Sequence, residues 1–255
     1  MCTVTVVRSG DTMRLACNRD ERRERPHAHP PFVTRAGGLF VLTPQDPVAR
    51  GTWIAANGAG LVLAVLNACD GRPGRPLPRT SRGLIIPALV HCASLDEVVY
   101  EAGAIRHGDF APFRLLAADT RDVVELAVRG GEWDAQVHPL AEPLLFTSSS
   151  VGDAIVEGPR RLLFEQMFAT PWDLEAQQDA YHGHRWRDRP AVSVHMSRPD
   201  ACTVSTTTVE VTPDQVRMTY HPAHHAAGTP VGLVIDRQDV ERAAARRPRR
   251  EHAAV

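Results

Sequence analysis

A cysteine at position 2, behind Met1 and ahead of Thr3, is the residue of this chain best placed to do chemistry. Aminopeptidases remove an initiator methionine when the next residue is small, as Cys is. The expected mature chain then begins with a thiol carrying its own α-amino group, a base with a pKa of about 8 in model peptides. A thiolate attacks acyl carbons, its pKa responds to neighbouring positive charge, and an N-terminal amine can activate it as a base. The second reactive stretch is Asn18-Arg19-Asp20-Glu21. Asp20 would hold the α-ammonium or the hydrogen-bond network of the thiolate, and Arg19 or Asn18 would lower the thiol pKa. A solvated charged turn is the competing reading, since every residue from Arg19 to Arg25 is charged. Only the chemical reading accounts for a pairing with Cys2.

That pairing depends on a hairpin. Thr3 to Arg8 is β-branched and apolar, Ser9-Gly10-Asp11 makes a turn, and Thr12 to Cys17 continues with alternating character. Antiparallel partners joined by a tight turn place residues equidistant from it in register. The start of the chain and Asn18 to Asp20 therefore fall within side-chain reach of each other.

These residues carry a resemblance. Met1-Cys2-Thr3, Asn18-Arg19-Asp20-Glu21 with the following Arg22-Arg23-Glu24-Arg25-Pro26, and the later Arg50-Gly51-Thr52-Trp53-Ile54 resemble the NRDE family, also called the transport and Golgi organisation protein 2 family, and the likeness extends more weakly to about residue 212. More distantly, the opening resembles the choloylglycine hydrolases, which include penicillin V acylase and bile salt hydrolase. Both resemblances imply an α+β fold of the N-terminal-nucleophile type, an αββα sandwich of two antiparallel sheets between helical layers. They imply amide cleavage or acyl transfer, and for the NRDE family handling of haem or acyl lipids is an alternative. In the choloylglycine hydrolases an Arg precedes the Asn of the motif; here Cys17 takes that place.

The apolar run Leu61 to Leu66 ends in Asn67, which the resemblance puts in the oxyanion hole with a backbone N–H; an Asn capping a turn is the other reading. Ser148 stands where both families place an Asn that touches the substrate carbonyl. Arg161 matches a second active-site Arg of bile salt hydrolases, with a solvated helix face as the alternative. Trp53 and Arg82, the latter in an Arg-Gly segment like the family's, complete the expected substrate-binding set with Ser148 and Arg161.

The remaining pattern supplies the layers. Pro26 to Pro31 reads as a proline-and-histidine loop, Gly38 to Thr43 and Trp53 to Asn57 as strands, and Asp70 to Thr80 as a polar loop. Leu84 to Val90 and Ser94 to Glu101 read as one helical layer, the second opened by a capping box of Ser94 and Glu97. Runs at 113–119, 122–129, 133–137 and 143–147 read as the meander of a second sheet. Gly152 to Phe168 reads as a helix that Gly158-Pro159 could divide, and a helix from Pro171 to Asp179 would be capped by Thr170. Runs at 191–196, 203–211 and 216–220 read as returning strands. One domain over residues 1–236 is expected, followed by an Arg- and Ala-rich tail over 237–255.

Composition narrows the function classes. A net charge of −1 gives no general attraction for nucleic acid or an anionic membrane. No apolar run approaches the roughly 20 residues of a membrane span, and no signal peptide is legible, so a cytoplasmic protein is expected. All 29 basic residues other than His are Arg, which removes Lys-based mechanisms. Five cysteines without metal spacing argue against a disulfide framework and a zinc site, and the histidine pairs at 27/29, 182/184 and 224/225 are weak as metal ligands. The expected function is therefore an N-terminal-cysteine amide hydrolase or acyltransferase acting on a small amide, acyl or peptide substrate without a cofactor. The alternative is a non-catalytic carrier of haem or an acyl lipid.

Overall fold

The computed structural model describes residues 2–68, 80–129, 132–170, 172–223 and 229–238. The opening hairpin forms as its turn dictates: β1 (Cys2–Ser9) pairs antiparallel with β2 (Thr12–Arg22), Cys2 opposite Arg19 and Thr3 opposite Asn18. Gly10 sits in the turn at φ 58°, a left-handed conformation that glycine adopts without strain. The charged stretch is thus the end of a strand and not a turn. Its backbone is paired on both sides, by β1 and by β11 (Ala201–Val211), and this is why Asn18, Arg19 and Asp20 are buried.

Alternation along β1 splits its side chains between two layers. Val4 and Val6 face inward to the core between the sheets with Met13, Leu15 and Cys17. Thr3, Thr5 and Val7 face the helical pair α3 (Asp153–Phe168) and α4 (Leu174–Gly183), where Val7 packs with Phe164, Phe168 and Tyr181. The first sheet is completed by β10 (Leu144–Thr147), β12 (Gln215–Pro222) and β13 (Val231–Asp236), in the order β10-β1-β2-β11-β12-β13. The second sheet runs in near-sequential order: β3 (His29–Ala36), β4 (Leu39–Gln45), β5 (Ile54–Asn57), β6 (Val62–Asn67), β7 (Phe113–Ala118), β8 (Asp122–Arg129) and β9 (Glu132–Pro139). On it pack α1 (Ile85–Leu89) and α2 (Leu95–Gly103). The result is the expected αββα sandwich.

Several boundaries differ from the sequence reading for physical reasons. β3 occupies part of the expected proline loop; Pro30 and Pro31 are tolerated because β3 is an edge strand, and the register shifts between His29 and Phe32. β10 leaves the meander and pairs with β1 in the other sheet. α3 runs unbroken through Pro159. α4 starts at Leu174 under an Asp173 cap rather than at Pro171, which lies outside the described residues. The segment at 191–196 holds a short 3-10 turn at Pro190–Val192 and no strand. The capping interaction at Ser94 forms, with Glu97 N–H donating to Ser94 Oγ at 3.2 Å, although the Glu97 carboxylate takes the Ala93 N–H. The loop at 70–79, Cys69 and His224/His225 lie outside the described residues.

Candidate active site

A cleft of about 580 Å³ opens at the Cys2 end of the hairpin, between the two sheets. Six of the nine residues expected at the site line it: Cys2, Arg19, Asp20, Trp53, Asn67 and Arg82. They arrive from the ends of β1, β2, β5 and β6 and from the short 3-10 turn Arg82–Leu84.

The thiol of Cys2 is held below the ordinary thiol range, chiefly by a hydrogen bond from the thiol of Cys17; burial opposes this, and Arg19 adds a smaller lowering. Cys17 moves the opposite way, well above the ordinary range, because it donates that bond and because it is buried. The residue standing where choloylglycine hydrolases have an Arg is thus the direct neighbour of the nucleophile candidate. Arg19 is less available than the sequence suggested. Its guanidinium donates to Asp46 at 2.6 Å and to Glu21 at 3.3 Å, and it stacks 4.3 Å from the Trp53 ring centroid. Most of its field is spent on carboxylates.

Asp46 was not legible as a site residue, yet it organises this wall. Besides Arg19 it takes both ends of the Arg25 guanidinium, at 2.8 and 2.9 Å, and the N–H groups of Val48 and Ala49. Burial opposes its ionisation, but those hydrogen bonds and the two arginine charges bring it down to about 2. The only sequence signal was an Asp placed to cap the turn before Arg50-Gly51.

Asp20 lies opposite Thr203, whose hydroxyl donates to its Oδ1 at 2.6 Å. A register shift in β11 between Thr203 and Ser205 makes this contact possible. Without the extra residue, the apolar Val204 would face Asp20 in the ladder. Burial pushes the Asp20 carboxyl above its usual range, against the pull of the Arg160 charge and of the Thr203 bond.

Three expected site residues fall elsewhere. Asn18 points to the other side of the sheet, where its amide donates to the carbonyls of His182 and Val194 and accepts from Thr206; it locks α4 and the following turn to β2. Ser148 is fully buried off the cleft wall, its hydroxyl accepting from Cys2 N at 3.2 Å and its N–H donating to Cys2 O at 3.0 Å. It holds the main chain of Cys2 at both its nitrogen and its carbonyl. Arg161 is an exposed residue paired with Glu157. The buried arginine is its neighbour Arg160, which donates to Thr3 and Thr147 hydroxyls at 2.9 and 2.7 Å and to the carbonyls of Val192 and Ser193.

This arrangement can support acyl chemistry: a thiol held below the ordinary thiol range at the floor of a cleft and a nitrogen of the same residue fixed in place, with the charge of the nearby buried Asp20 acting against that lowering. Haem, expected only under the carrier alternative, would meet Cys2 as the one soft ligand here, since the described lining contains no His.

Solved structures share the fold at low identity. A penicillin V acylase from Agrobacterium tumefaciens aligns with a TM-score of 0.55 and 13% identity over 92% of this chain and 86% of that one. A Caenorhabditis elegans ortholog of N-acylethanolamine-hydrolyzing acid amidase aligns at 0.54 and 14%, covering 81% of this chain and 92% of its own. A mutant of a conjugated bile acid hydrolase from Clostridium perfringens aligns at 0.54 and 9%, covering 94% and 97%. At such identities the likeness is one of fold, that of the N-terminal-nucleophile hydrolases. No curated protein sequence matches the chain. A family model does: it matches residues 1–159, including Cys2, the Asn18 to Glu21 motif, Trp53, Asn67 and Arg82, and the chain belongs to the Transport and Golgi organisation 2 family.

Proposed function

We propose that this protein cleaves or transfers the acyl group of a small linear amide through a Cys2 acyl-enzyme, formed after Met1 is removed. The observation that carries this reading is the Cys2 thiol, held below the ordinary thiol range at the floor of a cleft, with its own nitrogen anchored by Ser148 at 3.2 Å. The sulfur attacks the acyl carbon and the C–S bond forms. The α-amine takes the thiol proton and delivers it to the leaving nitrogen as the C–N bond breaks. Asn67 would donate to the oxyanion, and Asp20 would hold the ammonium between transfers. Water, or an acceptor amine, then releases the acyl group and restores the thiol. The fold relatives named above act, by their titles, on penicillin V, N-acylethanolamines and conjugated bile acids. A small amide of this general kind is the substrate class proposed here.

Intact-mass measurement of untagged protein, before and after exposure to a panel of N-acyl amides, tests the reading. The expected result is loss of Met1, an acyl adduct on Cys2, and no turnover by Cys2→Ser. A form that retains Met1 and turns over normally would remove the amine as base. A Cys2→Ser protein that performs the biological role unchanged would shift the reading to the non-catalytic carrier of haem or an acyl lipid.

A further inference from the structure

Cys17 lowers the Cys2 thiol but takes neither proton nor acyl group in the proposed acyl chemistry, and it is the side chain nearest in kind to the nucleophile candidate. Cys2 stands opposite Arg19 on β2, and Cys17 lies two residues along from Arg19, opposite Val4. Because side chains alternate, Cys2 and Cys17 share the same face of the hairpin as diagonal neighbours, close enough that each shifts the ionisation of the other. Cys17 is completely buried, so the approach to this pair runs through the cleft to Cys2. Of the other described cysteines, Cys202 pairs with Glu21 on β11 and Cys92 follows α1, so neither stands at this position.

We propose that Cys17 is the resolving thiol for Cys2, converting peroxide damage at the cleft into a reversible Cys2–Cys17 disulfide. A peroxide reaching the cleft is attacked by the Cys2 thiolate: the S–O bond forms, the O–O bond breaks and hydroxide leaves. Cys17 then gives up its proton and its sulfur attacks the sulfenic sulfur; the S–S bond forms, the S–O bond breaks, and the second hydroxide takes the proton as water. Two thiols lose two electrons and two protons, and one peroxide becomes two waters. Diagonal positions are about 7–8 Å apart between Cα atoms, wider than the roughly 6 Å of a relaxed disulfide. The end of β1 must therefore close up, and a bond made under that strain is readily reduced, as a protective cap requires.

The proposal takes from the preceding section only that Cys2 reacts as a thiolate, and its test does not depend on turnover. Untagged protein is treated with equimolar hydrogen peroxide, blocked with N-ethylmaleimide and digested with trypsin without reduction. Cleavage at Arg8, Arg14 and Arg19 puts the two cysteines in separate peptides. The expected product is a cross-linked pair of those peptides, lost on mild thiol treatment. In Cys17→Ser, and in Cys17→Ala as a second replacement, the pair is absent, and peroxide raised to at least about two equivalents per chain drives Cys2 to sulfinic acid while wild-type protein still yields the pair. Wild-type protein in which Cys2 is overoxidised while Cys17 remains free, or in which Cys2 cross-links to another cysteine, overturns the proposal whether or not the amide chemistry holds.

Discussion

Arg160 and Arg161 show what one position along a helix decides. The buried residues of α3 are Val156, Arg160, Phe164 and Phe168, a strict four-residue stripe. An apolar pattern alone cannot reveal that stripe, because its second member is an arginine, while the apolar Ile155 and Leu162 point outward. The family resemblance led to Arg161, one residue from the group that matters. Arg160 helps keep Asp20 ionised against burial, and Asp20 has no other large positive influence ahead of it. Arg160→Gln is therefore expected to cost about 3 kcal/mol of stability by leaving buried partners uncompensated. Sign follows from the direction of the Asp20 shift: losing the arginine raises the carboxyl further, so the acid limb of the turnover profile moves to higher pH. Arg161→Ala, which removes only an exposed pair with Glu157, changes stability by less than about 0.5 kcal/mol and leaves the profile in place. Equal effects from the two substitutions, in denaturation and in the pH profile, would contradict this assignment.

Strands and turns were legible in the sequence where the local rules act alone. The hairpin of β1 and β2, the apolar run of β6 and the capped start of α2 follow from turn residues, β-branching and cap chemistry. What was not legible depends on partners distant in sequence: the move of β10 to the first sheet, the prolines carried on the β3 edge, and the irregularity in β11 that sets Thr203 against Asp20. Asn57 is another such element-level tie. Its buried amide donates to the carbonyls of Val90 and Cys92 at 2.8 and 2.7 Å, and its oxygen accepts from the N–H groups of Ala59 and Leu61. One side chain thereby closes the β5–β6 turn and fastens it to the end of α1. Asn57→Ala strands several buried polar groups at once, and a loss of about 3 kcal/mol or more is expected in chemical denaturation, since each such group costs about 1–3 kcal/mol. A loss under 1 kcal/mol would mean that the turn closes without it.

At the scale of the whole molecule, the sandwich is fastened at the end opposite Cys2 by residues expected to belong to a tail. Arg237 bonds to the first sheet, its N–H donating to Asp214 O at 2.7 Å and its guanidinium to Thr212 O, and it reaches the second sheet at Ala59 O at 2.8 Å. Gln238 continues the clasp, its N–H on Gly58 O at 2.7 Å and its side-chain oxygen accepting the Phe40 N–H at 2.5 Å. Gly60 adopts φ 82° and lets the Arg237 guanidinium lie where a Cβ would sit. Charge alone marked Arg237 as the beginning of a basic tail, because nothing in the sequence shows that carbonyls from both sheets converge at that spot. The cleft lies at the other end of the sandwich, so fastening and chemistry should separate. A double substitution, Arg237→Ala with Gln238→Ala, is expected to lower stability by about 2–4 kcal/mol, at about 1 kcal/mol per hydrogen bond lost. The rate of Cys2 alkylation by limiting iodoacetamide at pH 7 should stay unchanged. A slowed alkylation in protein that remains folded would show that the two ends of the sandwich are coupled, and that the clasp helps to shape the Cys2 cleft.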